Sequence, residues 1–243
     1  MTKGKIVNLE GYVIRLADYK DNDAMITFVT DKDTYSFLAR GIKKPTSKNR
    51  ASMALLAKSK LSLIQTDGTY VLKESQPLSY PDAKDDFSRS VSLMFIAELC
   101  SKMIQGEEAE AIYPWLDATM SAIEAIGNDS LSIALIFLAQ VLRIEGYGLN
   151  VDECVVCGKK KDIVGISLSD GGFLCREDLE YESQKRDVRI LKILRYIFRC
   201  GPNDIARVSF ERKECKFILD DLTKNLEEMT GIKLRSLELV KKI

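Results

Sequence analysis

The 243-residue chain contains no histidine. That absence removes Ser-His-Asp and Cys-His catalysis, and with them any zinc site that uses an imidazole. The chain also has no G-x-x-x-x-G-K-[ST] loop and no G-x-G-x-x-G, so P-loop hydrolysis is excluded and no nucleotide cofactor is expected. No apolar run approaches the roughly 20 residues that span a bilayer. Met1-Thr2-Lys3-Gly4-Lys5 leads straight into a strand-like segment without the apolar core of a signal peptide, so a cytoplasmic location away from the membrane is expected. Six cysteines in a chain this long do not suggest a disulfide framework; in a reducing compartment they are thiols or metal ligands. Internal repeats and low-complexity linkers are absent as well. The usual catalytic sets are missing, and the reading is of a protein that is not an enzyme.

Formal net charge is zero, yet it is unevenly spread. Residues 1–80 hold 13 Lys/Arg against 8 Asp/Glu, and the remainder holds 23 against 28. A weakly basic front and an acidic rear point to an anionic partner at the N-terminal end.

Three zones follow along the chain. From Lys5 to about Leu78 the pattern is β. Ile6 to Leu16 is rich in β-branched and aromatic residues, with Gly11 a candidate bend or bulge. Ala24–Thr30 and Thr34–Gly41 read as a hairpin around Asp31-Lys32-Asp33, and Leu61–Gln65 and Thr69–Leu72 as another across Asp67-Gly68. Five short strands in so few residues fit a closed barrel of OB type, with an SH3-like barrel or half-open sheet as the alternative. The second zone is helical. Apolar spacing predicts helices over about Asp82–Gln105, Tyr113/Pro114–Ile126 and Leu131–Glu145, the last capped by Asp129 or Ser130 and apolar nearly all round. The third zone carries a cysteine insert, then helices over about Val188–Arg199 and Phe210–Thr230, with Gly231 as a C-cap. The expected class is therefore multidomain α and β. Residues 1–80 form an OB-type barrel, 81–150 and 183–243 a helical domain, and 151–182 an inserted zinc-knuckle-like subdomain.

Cys154-Val-Val-Cys157 and Cys175-Arg-Glu-Asp178 are separated by 17 residues. Two C-x-x-C knuckles at that spacing make a structural zinc site, because each tight turn aims two thiolates at one tetrahedral centre. Asp178 replaces the fourth cysteine, and a carboxylate oxygen is an acceptable zinc ligand. The expected set is Cys154, Cys157, Cys175 and Asp178 around one structural zinc ion; the alternative is a relic knuckle held by packing. Cys100, Cys200 and Cys215 lie on helical faces and read as small buried hydrophobes. A redox role for the C-x-x-C lacks its usual βαβ context.

From Arg40 to Lys60 the chain carries seven positive charges and no acid. Arg40, Lys43, Lys44, Lys48 and Arg50 fall in a segment with Gly41 and Pro45 that reads as an exposed loop, able to bring side chains to phosphates. On an OB-type barrel a basic groove tracking the backbone is how single strands are held. Tyr12, Tyr19, Tyr35 and Phe37 are candidates for base stacking, although alternation puts Phe37 in the core. Met53–Ala57 reads as packing inward. Lys159-Lys160-Lys161 is a second possible phosphate contact, more simply read as a solvated turn.

These pieces in this order resemble the bacterial DNA-repair and recombination family RecO. The resemblance rests on Gly11-Tyr-Val-Ile, Ala39-Arg40-Gly41 running into Lys43-Lys44-Pro45-Thr46-Ser47, and Leu142-Arg-Ile-Glu-Gly-Tyr-Gly-Leu149. It continues through Cys154-Val-Val-Cys157-Gly158, Ser169-Asp-Gly-Gly-Phe-Leu-Cys175 and the closing Leu234-Arg-Ser-Leu-Glu-Leu239. It implies an N-terminal OB fold before a helical domain interrupted by a zinc knuckle. It also implies binding of single- and double-stranded DNA, annealing of complementary strands, and work with RecR to load RecA onto strands coated by single-stranded-DNA-binding protein. The location implied is the bacterial cytoplasm, at the nucleoid. Asp178 departs from the family, many members of which carry a cysteine there. Contact with the tail of single-stranded-DNA-binding protein would fall on the helical zone, where Arg186 and Arg195 are candidates. Two other readings compete: a protein–protein adaptor whose barrel binds no nucleic acid, and a metal- or thiol-dependent enzyme built on the knuckle.

Overall fold

The computed structural model describes residues 4–83, 86–104, 106, 108–125 and 127–243. The chain divides into two compact units, residues 1–86 with 96–114, and residues 87–95 with 115–243.

The first unit contains five strands, β1 (Lys5–Asp18), β2 (Ala24–Thr30), β3 (Thr34–Ala39), β4 (Lys58–Thr66) and β5 (Thr69–Ser79). They close in the order β1-β2-β3-β5-β4. β1 is long enough to serve two neighbours. Its first half pairs with β4, from Lys5↔Gln65 to Tyr12↔Lys58, and its second half with β2, from Gly11↔Thr30 to Asp18↔Ala24. The ring is completed by one parallel pair, Leu38↔Val71, beside which the Tyr35 and Tyr70 rings meet edge to face at 5.7 Å. Period-2 alternation sends Val13, Ile26, Phe28, Phe37 and Leu63 into the interior, where Met53 from the segment between β3 and β4 joins them.

Gly11 stands at the handover between the two pairings. A Cβ there would lie 2.0 Å from the Val29 carbonyl oxygen, so only glycine lets β2 approach. The register shift itself falls two residues later, between Val13 and Arg15. β4 and β5 are longer than their apolar cores suggest. Glu74, Ser75 and Gln76 are polar, yet they extend β5 because Ser62, Leu61 and Lys60 of β4 pair with them beyond a register shift that leaves Lys73 unpaired. Between β3 and β4 the chain makes turns and one 3-10 turn, Ala51–Met53. Met53, Leu56 and Ala57 are buried as expected, but Ala54 and Leu55 are exposed. The left-handed Leu56 (φ 62°) reverses the chain there, and its N–H donates to the Val13 carbonyl at 2.7 Å.

The second unit is organised on α3 (Ser130–Ile144), in which every residue from Ser130 to Leu142 is buried. Asp129 caps it, accepting from the Leu131 N–H at 3.1 Å. The same carboxylate accepts from the Ser132 hydroxyl at 2.7 Å and the Ser209 hydroxyl at 3.0 Å, which ties the loop before α5 to the α3 N-terminus. α4 (Val188–Arg199) and α5 (Arg212–Thr230) pack on α3. Gln140, fully buried, donates to the Ile197 carbonyl, and Gly231 ends α5 in the left-handed conformation. α6 (Leu237–Val240) closes the chain.

α1 (Phe87–Met103) and α2 (Ala109–Glu124) contribute residues to both units. α1 starts later than the apolar spacing predicts. α2 starts earlier, so Pro114 lies inside the helix rather than in its first turn. Pro114 has no N–H to offer the Glu110 carbonyl four residues earlier, and Glu110 is exposed, so that carbonyl is on the solvent side of the helix. The expected ends at Gln105 and Ile126 lie outside the described residues. Among the described residues no helix is long and apolar enough to cross a membrane.

Gly11→Ala is expected to cost about 1–3 kcal/mol, the usual range for forcing extra volume into a close-packed site. Thermal denaturation should show a midpoint lowered by several degrees; an unchanged midpoint would mean that β2 withdraws from Gly11 at no cost.

Candidate metal centre and basic loop

A three-stranded sheet of β6 (Asn150–Cys154), β7 (Ile163–Ser167) and β8 (Gly172–Cys175), in the order β6-β8-β7, carries the cysteine insert. β6 and β8 run parallel, so Cys154 and Cys175 emerge at the same end. After each comes a tight turn. The first closes with Gly158 N–H donating to the Cys154 carbonyl at 2.8 Å, at a left-handed glycine (φ 75°). The second is the 3-10 turn Arg176–Asp178. Together they bring Cys154, Cys157, Cys175 and Asp178 within 4.8 Å of one another by their donor atoms. The Cys154 and Cys175 thiols both donate to Asp178 Oδ2 at 3.1 Å, and Cys157 and Cys175 Sγ are 3.7 Å apart.

Those separations suit a metal. Thiolates about 2.3 Å from a tetrahedral zinc stand roughly 3.8 Å apart, close to the Cys157–Cys175 distance. The electrostatics agree. Hydrogen bonds from Cys157, Cys154 and Cys175 hold the Asp178 carboxyl below its usual range. For Cys154, burial opposes ionisation, but the backbone amides of Cys157, Cys175 and Val156 outweigh it and the pKa falls. Cys157 is pushed up to about 12, chiefly by its hydrogen bond to Asp178. A divalent cation bound at this centre would take the place of the thiol protons. Leu174, Val155, Ile163 and Leu179 pack against the buried pair of thiols.

The remaining cysteines do not join this cluster. Cys100 and Cys215 are buried. Cys200 is only half-buried, contrary to the expectation, because it is the C-cap of α4 rather than part of its inner face; burial still pushes its thiol up to about 11.

The loop after β3 is held largely by its backbone and by Ile42 in the core, with its cations exposed. Gly41 N–H donates to Asp23 Oδ1 at 2.7 Å and Lys43 N–H to the Asn22 carbonyl at 3.1 Å. Ser75 Oγ donates to Asn49 Oδ1 at 3.0 Å. Arg40, Lys43, Lys44, Lys48 and Arg50 are all exposed. The seven cations of the acid-free segment are not equivalent. Lys43 pairs with Asp18 and Lys60 with Glu10, while Lys58 sits 5.5 Å from the Tyr12 ring centre. Arg40, Lys44, Lys48 and Arg50 have no carboxylate partner among the described residues.

The aromatic candidates separate in the same way. Tyr12 and Phe37 are buried, so neither can stack on a base, and Tyr12 packs on Tyr113 at 5.8 Å. Tyr35 is half-buried against Tyr70. Tyr19 is exposed, with the Lys20 ammonium 5.5 Å from its ring centre. Lys20 was not evident from sequence; the β1–β2 turn brings it beside Arg40 and Lys44 around a shallow pocket of about 520 Å³.

In the helical unit the candidate arginines have structural work. Arg186 pairs with Asp221 at 2.9 Å and stacks on Phe217. Arg195 donates to the Val151 carbonyl at 2.8 Å and stacks on Phe173. Lys159 pairs with Glu177, and Lys160 reaches Glu153 at 4.0 Å.

Two family models match the chain: recombination protein O N terminal over residues 1–81 and recombination protein O C terminal over residues 84–238. Curated relatives match nearly end to end. A DNA repair protein RecO of Syntrophomonas wolfei subsp. wolfei is 30% identical over 218 residues, 86% of each chain. One of Bacillus cytotoxicus is 26% identical over 233 residues, 94% of each. Another, of Halalkalibacterium halodurans, is 23% identical over 232 residues, 93% of this chain and 91% of the relative.

Cys154→Ser removes one of four donors. It should abolish retention of a divalent metal, measured by atomic spectroscopy, and lower the unfolding midpoint, as a chelator should for the unsubstituted protein. A protein that carries no metal and unfolds identically with chelator would leave the cluster as a hydrogen-bonded knuckle only.

Proposed function

The chain belongs to the recombination protein O (RecO) family of DNA repair proteins, and from that membership we propose that it is a DNA-binding recombination mediator rather than an enzyme. On this reading residues 1–80 are an OB-type DNA-binding domain, 81–150 and 183–243 a helical domain, and 151–182 a knuckle insert. The protein binds single- and double-stranded DNA, anneals complementary strands, and acts in the bacterial cytoplasm. Its protein partners are RecR and single-stranded-DNA-binding protein, with RecA engaged indirectly.

The observation that carries this reading is the contrast in charge pairing. In the helical unit many cations have an acid close by, among them Arg199 with Asp152 at 2.8 Å, Lys213 with Glu211 at 2.9 Å and Lys241 with Asp220 at 2.8 Å. On the barrel loop Arg40, Lys44, Lys48 and Arg50 point to solvent without such acids among the described residues. Unpaired cations grouped on one loop repel each other and create a local positive field that favours an external polyanion over small counterions. Phosphates attract all of them, and Thr46, Ser47 and Asn49 add neutral donors. Lys43 contributes less, since Asp18 already holds it.

Annealing needs no nucleophile or proton carrier. It needs strands held by their backbones, so that bases stay free to pair, and a loop that grips phosphates does that. Cys154, Cys157, Cys175 and Asp178 would hold one structural zinc ion. When bound, zinc supplies a fixed cross-link between the two turns of the insert and no chemistry on DNA. The chain's own contribution there is the hydrophobic packing of Leu174 and Leu179 and the parallel β6–β8 pairing.

Reversing Lys44, Lys48 and Arg50 to Glu should weaken binding to all DNA sequences alike. It should also flatten the dependence of log K on log salt by about 0.7–0.9 for each phosphate no longer gripped. Lys43→Glu alone should do less than Lys44→Glu. Unchanged affinity and slope in fluorescence anisotropy, or no binding by the unsubstituted protein at low salt, would defeat the proposal in favour of a protein–protein adaptor.

A further inference from the structure

The insert holds three thiols where two complete C-x-x-C pairs would hold four, and the three are not equally placed. Cys154 and Cys175 are buried, packed with Leu174, Val155, Ile163 and Leu179. Cys157 is exposed, beside Val156, which is itself 63% exposed. A small solute therefore meets Cys157 before it meets the other two thiols.

The turn that carries Cys157 is closed on its own backbone. The Gly158 N–H donates to the Cys154 carbonyl and the Cys154 N–H to the Lys159 carbonyl, both at 2.8 Å. Cys175 stands at the start of the other turn, its Sγ 3.7 Å from that of Cys157. A disulfide holds its sulfurs at about 2.05 Å. Rotation of the exposed Cys157 side chain covers that difference while the strands stay in place.

Asp178 gives this arrangement its consequence. A carboxylate has no sulfur to contribute to a disulfide, so joining two of the three thiols leaves one thiol and one carboxylate. A structural zinc ion takes four donors, and the two left over do not retain it. With a cysteine at position 178, two thiolates would remain.

We propose that the insert is a thiol switch. A hydroperoxide joins Cys157 to Cys175, and the cross-link between the two turns passes from metal to disulfide. This rests on the metal centre of the reading above. In the loaded protein Cys157 is a thiolate, because ligation displaces its proton. Its sulfur attacks one oxygen of hydrogen peroxide, the O–O bond breaks, and Cys157 becomes a sulfenic acid with release of hydroxide. The Cys175 sulfur then attacks the Cys157 sulfur, the S–S bond forms, and a second hydroxide leaves with the S–O electrons. Two thiolates, one peroxide and two protons become one disulfide and two waters, so both sulfurs are oxidised and both peroxide oxygens reduced. Cys157 and Cys175 lie on different turns, so the disulfide ties together the same two turns as the four donors. Cys154 keeps Asp178 as its hydrogen-bond acceptor. The insert thus stays closed without metal, and a thiol reductant reverses the change.

The test treats the full-length, zinc-loaded protein with hydrogen peroxide. A chromogenic chelator should read one zinc ion released per disulfide formed. The mass of the polypeptide should fall by two hydrogens, and peptide mapping should recover Cys157 joined to Cys175. Added thiol should restore zinc uptake. A chelator should lower the unfolding midpoint of the reduced protein and leave that of the oxidised protein unchanged. Cys200→Ser, which removes the half-buried thiol outside the insert, should alter none of these results. Cys157→Ser should leave Cys154 and Cys175 as thiols under the same peroxide, a readout that holds even if this variant takes up less zinc. A Cys154–Cys157 disulfide, oxidation to sulfinic acid alone, or zinc that stays bound throughout would overturn the switch and leave the metal centre standing. A protein that takes up no zinc before peroxide is added would instead overturn the metal centre itself.

Discussion

The close approach of β2 to Gly11 is the contact on which the first unit depends. β1 must hand its hydrogen bonds from β4 to β2 within two residues, and Gly11 and Tyr12 are paired on both sides at once. Any side chain at Gly11 would occupy the space of the Val29 carbonyl. Without that approach β1 could serve one neighbour only and the ring could not close, leaving unpaired edges. Closure then fixes which residues face inward. It also puts the β1–β2 turn, the exit of β3 and the start of β5 at one end, so Lys20 meets Arg40 and Lys44.

The second unit solves a different problem. α3 has no polar face to give to water, so it must be surrounded, and its ends must be satisfied from within. Asp129 does this by capping α3 while binding Ser209, so one carboxylate sets both the helix start and the approach to α5. Ion pairs then cover the surface. Exposed pairs of this kind add little stability individually, but they cancel the field that the same cations would otherwise project. The barrel loop differs both in composition, since residues 40–60 hold no acid, and in pairing.

The cysteine insert shows how far spacing reaches. Two knuckles 17 residues apart lead to the expectation of four donors at one centre, and the parallel β6–β8 pair brings them within 4.8 Å. The carboxylate accepts from two thiols through one oxygen, a role that follows from the tight 3-10 turn at Arg176–Asp178 and not from the residue type alone. Gly172 lets β6 pass close to β8, since a Cβ there would lie 2.5 Å from the Asn150 carbonyl oxygen.

By itself the sequence determined whatever depends on local order. The five strands and their hairpins, a cap at Asp129 or Ser130, the Gly231 stop and the four donors of the knuckle were all legible, because period, turn chemistry and spacing act over a few residues. Family-specific order in short motifs added the DNA-repair assignment. Tertiary structure alone decided the rest. It drew Tyr12 and Phe37 into the core, committed Arg186 and Arg195 to Asp221 and to the Val151 carbonyl, and placed Pro114 inside α2 where its missing hydrogen bond faces water. It also sorted the seven cations of the basic segment into paired and unpaired. Charge pairing and strand register join residues far apart in the chain, such as Lys43 with Asp18 and Leu38 with Val71, and no local pattern encodes which of them will meet.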